Sequence, residues 1–140
     1  MKQRIFTLLV LVMVALLAGC GAKATPVAVN ADTDLSTLPV LLDPTTVNQI
    51  RERADVLLID VREQAEYDAG HIPGITLIPM GDIANRLAEI PKDKMVVVSC
   101  QSGRRSNQVA TFLQEQGYTN IHDLQGGFSA WQKAGLPVEN

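Results

Sequence analysis

The sequence predicts an α/β fold with a mainly parallel central sheet flanked by helices on both faces. Two observations carry this. Val56-Leu57-Leu58-Ile59 and Met95-Val96-Val97-Val98 are short, unbroken apolar runs, the pattern of strands buried on both faces. Segments with helical spacing separate such runs, and a chain that alternates strand and helix folds into layers around a sheet.

The elements follow in order. Val40-Leu41-Leu42 is a short strand candidate. Asp43-Pro44 supplies a helix cap and a proline at the first helical position, and Val47 and Ile50 give that helix a buried side. The Val56–Ile59 strand comes next, then a third strand at Ile75 to Ile78. Asp82 can cap a helix that would place Ile83, Leu87 and Ile90 on one face. Met95 to Val98 is the strongest strand. The helix from Ser106 to Gln116 turns Val109, Phe112 and Leu113 inward and stops at Gly117. Ile121 to Leu124 is the last strand, and Gly126-Gly127 breaks the chain before a final helix around Phe128 to Lys133. His122 stands in no motif, and Trp131 reads as core.

The first residues are of another kind. Lys2 and Arg4 precede an apolar run from Ile5 to Leu17, followed by Ala18-Gly19-Cys20. A basic start, an apolar stretch and small residues at its end describe a secretory signal peptide, and the stretch is short for a membrane span. Leu17-Ala18-Gly19-Cys20 resembles the lipobox of bacterial lipoproteins, which implies cleavage before Cys20 and lipidation of that cysteine. The expected organisation is a signal peptide over residues 1–19, a lipidated Cys20 with a flexible tether over 20–38, and a domain over 39–140. The expected location is the cell envelope, lipid-anchored to a bacterial membrane, with the domain facing the periplasm or the exterior. The uncleaved alternative is a plain N-terminal anchor helix.

Charge narrows the function. The chain has 12 basic and 15 acidic residues, and Lys2 and Arg4 are the only charges before Cys20. The part after the signal is therefore distinctly acidic, without the basic patch that nucleic-acid binding requires. Two cysteines, one of them expected to carry lipid, make no disulfide framework. Cys100 is then a lone free thiol, and reactivity is a reason for it to exist.

Ser99-Cys100-Gln101-Ser102-Gly103-Arg104-Arg105-Ser106 joins the strongest strand to a helix. Ligands of parallel sheets bind beyond the carboxyl ends of the strands, where Cys100 falls. Backbone N–H groups of a short loop can turn inward as an anion nest. The helix start adds its unpaired N–H groups and positive end, and two arginines add full charge. All three favour thiolate over thiol. Gly103 permits the backbone reversal, and Ser102 and Ser106 offer hydroxyl donors. An inert core cysteine is the plainer alternative, but it has no use for Ser-Gly-Arg-Arg after it. A helix start is an unfavourable place for two cations, so one arginine is expected to face the pocket and the other solvent.

These residues resemble the rhodanese family. Cys100-Gln101-Ser102-Gly103-Arg104-Arg105-Ser106 is similar to the Cys-x-Ser-Gly-x-Arg-Ser loop of its single-domain members. Asp60-Val61-Arg62-Glu63 is similar to the Asp-Val-Arg segment after a core strand, and Gly70-His71-Ile72-Pro73-Gly74 to the Gly-His-Ile-Pro-Gly segment. Gly126-Gly127-Phe128-Ser129-Ala130-Trp131 is similar to the Gly-Gly-x-x-x-Trp near the end; Ile75-Thr76-Leu77 departs from the family's frequent Ala-x-Asn. The resemblance spans about Val40 to Val138. It implies a sulfurtransferase that moves a sulfane sulfur from a donor such as thiosulfate to cyanide or a thiol through a Cys100 persulfide. Gln101, Ser102, Gly103, Arg104 and Arg105 would hold the small anionic donor. Asp60, Arg62, Glu66 and His71 would be structural, with Arg62 and Glu66 spaced to pair across a helical turn. No metal and no cofactor is required, and a monomer is expected.

Two other readings compete. A non-catalytic sulfur-carrier or sensor module is one, though inactive relatives usually lack the loop cysteine. A Cys-dependent phosphatase or arsenate reductase is the other. Those enzymes use Cys-x5-Arg, whereas here Arg105 stands at the fifth position after Cys100 and Ser106 at the sixth. The shorter loop suits a single sulfur atom.

Overall fold

The structure, a computed structural model, describes residues 26–140; the signal segment and Cys20 lie outside the described residues. Five strands form one parallel sheet: β1 (Leu41–Leu42), β2 (Val56–Asp60), β3 (Thr76–Leu77), β4 (Met95–Ser99) and β5 (Ile121–Leu124), in the order β1-β5-β4-β2-β3. The helices are α1 (Pro44–Ile50), α2 (Gln64–Asp68), α3 (Arg104–Glu115) and α4 (Gly127–Lys133).

Strand alternation divides the core in two. Leu58, Val97 and Leu124 pack on one face with Val47 and Ile50 of α1 and Phe128 and Trp131 of α4. Ile59, Val96, Val98 and Ile121 pack on the other with Val109, Ala110 and Leu113 of α3. Successive strand residues point to opposite faces, so both faces of β4 must be covered by apolar helices. Burying a side chain such as Leu113 removes its whole surface from water, which stabilises the fold by about 1.5–3 kcal/mol.

Local chemistry sets the helix starts. The Asp43 carboxylate accepts from the N–H groups of Thr45 and Thr46 ahead of Pro44's helix. Glu63 and Glu66 form a reciprocal capping box that begins α2.

Three expectations change. Residues 80–90 form two 3₁₀ turns, Met80–Asn85 and Leu87–Glu89, instead of an α-helix. Ile83 and Ile90 are buried, but Leu87 is only half-buried, so the apolar positions anchor a short connection. The packed domain also begins before residue 39. Leu35 and Leu38 are buried in the α1 face of the core, Val27 N–H donates to Thr46 Oγ1 at 3.0 Å, and Val29 N–H donates to Gln49 Oε1 at 3.1 Å. A polar stretch with two leucines three apart thus lies against the domain instead of hanging free. Finally, α3 starts two residues early, at Arg104, because Gly103 (φ +92°) makes the reversal into it. Among the described residues, no helix is long and apolar enough to cross a membrane.

Candidate active site

Cys100 directly follows β4, at the carboxyl end of the central strand, and is 1% exposed. The loop after it is held from outside by the start of α4. Phe128 N–H donates to the Cys100 carbonyl at 2.7 Å, and Ser129 N–H donates to the Gln101 carbonyl at 3.0 Å. With both carbonyls drawn outward, the loop's N–H groups are left to face inward. Gly103 N–H points at Cys100 Sγ at 3.1 Å.

This close approach requires Gly127. Its φ is +57°, and a Cβ there would overlap the Cys100 carbonyl and the Gln101 backbone. The Gln101 side chain locks the loop further: Nε2 donates to Ser129 Oγ at 2.9 Å, and Oε1 accepts from Arg62 at 3.2 Å.

The sulfur feels opposing influences. Burial is the largest and pushes the thiol up. Against it act the Ser106 hydroxyl and the N–H groups of Ser106, Ser102 and Gly103, and together they bring the Cys100 thiol below its ordinary value.

The two arginines part company. Arg104 is exposed. Arg105 is half-buried, interacts with Cys100 and forms a bidentate pair with Glu66 of α2, at 2.7 and 2.6 Å. The Arg105 guanidinium holds the Glu66 carboxyl down at about 2, against the opposing effect of burial.

Arg62 therefore does not pair with Glu66. It is 2% exposed and bound to Asp60, with a contact at 2.8 Å; it donates to the Gly70 carbonyl at 2.8 Å and lies 4.4 Å from the Phe128 ring centroid. A buried cation needs such a full set of partners. Asp60 and Arg62 thus brace Gln101, and through it the loop.

His71 stacks on Tyr67 with ring centroids 3.8 Å apart, and its backbone pairs with Glu139, which ties the chain's end to the turn. His122 is buried, its Nδ1 lies 2.8 Å from the Pro39 carbonyl, and burial depresses its pKa. Trp131 is fully buried and donates to the Pro137 carbonyl at 2.7 Å.

Two features escaped sequence reasoning. Gly127 serves as the contact point between α4 and the loop. Asp123, on β5, is 4% exposed, and its Oδ1 has no hydrogen-bond partner. Burial raises its carboxyl to about 6, against the opposing effects of the Ser106 hydroxyl and Leu124 N–H. The available signal was a carboxylate inside the apolar Ile121–Leu124 run. Among the described residues, no cluster of His, Cys, Asp and Glu could hold a metal ion.

Comparison with known proteins places the chain in one family. A family model described as "Rhodanese-like domain" matches residues 43–134. A protein of Allochromatium vinosum named "Sulfurtransferase" is 43% identical over 98 residues, covering 69% of this chain and 92% of that one. The "Thiosulfate sulfurtransferase GlpE" of Pseudoalteromonas translucida is 34% identical over 86 residues, covering 61% and 82%. The crystal structure of a rhodanese-related protein from Thermoplasma volcanium superposes with a TM-score of 0.65 at 28% identity, covering 70% of this chain and 95% of that one. The chain belongs to the rhodanese-like domain family.

Proposed function

We propose that the chain is a sulfurtransferase in which Cys100 carries the sulfur as a persulfide, taking it from a small anionic donor such as thiosulfate. The observation that carries this reading is the Cys100 sulfur set among inward N–H groups, with Gly103 N–H at 3.1 Å. Such donors stabilise negative charge on sulfur before and after transfer.

In the first half-reaction the Cys100 thiolate attacks the outer sulfur of thiosulfate. A new S–S bond forms, the old one breaks, and sulfite leaves with the electron pair. In the second, cyanide or a thiolate attacks the outer persulfide sulfur. That S–S bond breaks, thiocyanate or a new persulfide departs, and the thiolate is restored. The Gln101 side chain is committed to Arg62 and Ser129, so its part is to hold the loop. Ser102, Gly103 and Ser106 supply the N–H groups. Arg105 lies nearer the sulfur's charge than exposed Arg104.

Leu17-Ala18-Gly19-Cys20 supports a further part of the reading: a lipid on Cys20 that anchors the domain to the outer side of a bacterial membrane.

The deciding experiment is mass spectrometry of the protein after incubation with thiosulfate. A mass gain of one sulfur on Cys100, absent in Cys100→Ser, is expected. Full sulfur transfer to cyanide by Cys100→Ser would overturn the reading, as would hydrolysis of an aryl phosphate in preference to sulfur transfer.

A further inference from the structure

The stretch ahead of β1 lies along α1 as a strap in a fixed register. Val27 N–H donates to Thr46 Oγ1 at 3.0 Å, and Val29 N–H donates to Gln49 Oε1 at 3.1 Å. Past the end of α1, Arg53 donates to the Thr33 carbonyl at 3.1 Å. Val27 and Val29 pack on the same core face as Leu35 and Leu38. The partners advance along α1 as the strap advances, so the strap runs beside the helix and in the same direction.

That direction fixes where the chain enters the domain. β1 ends at Leu42 and α1 begins at Pro44, so the first turn of α1 stands at the carboxyl end of the parallel sheet. Thr46 belongs to that turn, and Val27 is bound to it. The Cys100 loop occupies the same edge, because β4 runs parallel to β5 and β5 to β1. With β5 between them, β1 and β4 lie about 10 Å apart across the sheet. The other end of the strap, at Leu38, leads into β1 from the amino end.

We propose that this strap makes the carboxyl edge of the sheet, with the Cys100 loop, the face that the domain turns toward a lipid surface. The inference rests on the reading of Cys20 as the lipid-bearing residue and goes beyond it by assigning an orientation. Cys20 and Val27 are seven residues apart, and that much chain spans at most about 25 Å even fully extended. A domain of about 100 residues is some 30–35 Å across, so an inverted domain would hold its carboxyl edge beyond that reach. A stretch left unbound from Cys20 to Leu38 would reach about 60 Å and impose no orientation. Small dissolved donors still enter the gap under the loop, and a thiol carried in the same membrane meets the sulfur directly.

The test places the full chain, expressed and processed in a bacterium, in vesicles of phosphatidylethanolamine and phosphatidylglycerol with an acceptor dye on the headgroups. In a Cys100→Ser background, a donor dye is attached through Arg104→Cys on the carboxyl edge or through Asp93→Cys, ahead of β4, on the amino edge; both positions are exposed. Energy transfer to the headgroups should be about twofold or more greater from position 104 than from position 93. Thr46→Val with Gln49→Ala removes the acceptors of Val27 and Val29, and the difference should shrink. Equal transfer from the two sites, or greater transfer from position 93, overturns the orientation and leaves the anchor standing. An undiminished difference in the double variant also overturns the proposal, since the strap would not be its cause. A chain that does not float with the vesicles sinks the Cys20 reading, and the proposal with it.

Discussion

Arg105 and Glu66 close on each other through two parallel hydrogen bonds at 2.6 and 2.7 Å, although 39 residues separate them. The pair ties α3, at the mouth of the cysteine loop, to α2 on the neighbouring connection. It also gives Arg105 a counter-charge before any substrate arrives.

Arg105→Ala should lower kcat/KM for thiosulfate by about tenfold or more, since a charge-assisted contact is worth about 1.5–3 kcal/mol. Arg104→Ala should have a smaller effect. Glu66→Gln should act in the opposite direction on binding, lowering KM as Arg105 loses its counter-charge. Steady-state kinetics on the three variants checks this, and equal, negligible effects would leave donor binding to the backbone alone.

Glu66 also sets an acid limit. Its folded carboxyl, at about 2, lies below its ordinary 4.5, so its stabilisation is complete above 4.5 and is lost as pH falls toward 2. The side chain is 34% exposed, and solvent screening reduces the effect to about 1 kcal/mol. The Tm gap between the native chain and Glu66→Gln should shrink between about pH 5 and pH 2.

Asp123 has the opposite sign. Its carboxyl is raised from 3.8 to about 6, so the folded state holds the proton more tightly than the unfolded chain. The stability linked to that proton is fully present below 3.8 and is lost as pH rises through 6. Asp123→Asn should therefore stabilise the protein by on the order of 2 kcal/mol at about pH 7, with the gain vanishing below about pH 4. Thermal or denaturant unfolding across that range checks the direction.

Gly127→Ala should do more harm than Gly117→Ala. Both glycines have positive φ, but a Cβ at Gly117 meets nothing within 4 Å, whereas at Gly127 it meets the Cys100 carbonyl. Left-handed strain alone costs about 1–2 kcal/mol. At Gly127 the loop must also shift, and a displacement of about 1 Å can cost on the order of a hundredfold in rate. Unfolding curves and sulfur transfer on the two variants separate the effects.

Cys20→Ser should abolish incorporation of radiolabelled palmitate and leave an unprocessed precursor. Replacing the segment through Cys20 with an ordinary cleavable signal should release an active soluble domain. Absence of label on the native chain, with the protein in the cytoplasm, would remove the envelope from the reading.

Much of this was legible in the chain because it is local. The Val96–Val98 run, the Asp43-Pro44 cap and the Cys100–Ser106 loop each declare themselves within a few residues. What stayed hidden depends on distant partners. The spacing of Arg62 and Glu66 suggested one pair, but Asp60 and Arg105 hold them separately. Ile83, Leu87 and Ile90 have helical spacing, yet the connection they occupy forms 3₁₀ turns. Leu35 and Leu38 looked like a tether because their polar neighbours hid two core residues.

The clamp of α4 on the loop also sets an order of events. The Cys100 and Gln101 carbonyls are held by N–H groups of Phe128 and Ser129, which lie downstream of β5. A chain still being made, or one clipped before Gly127, would hold the nucleophile in a loop that lacks these two anchors.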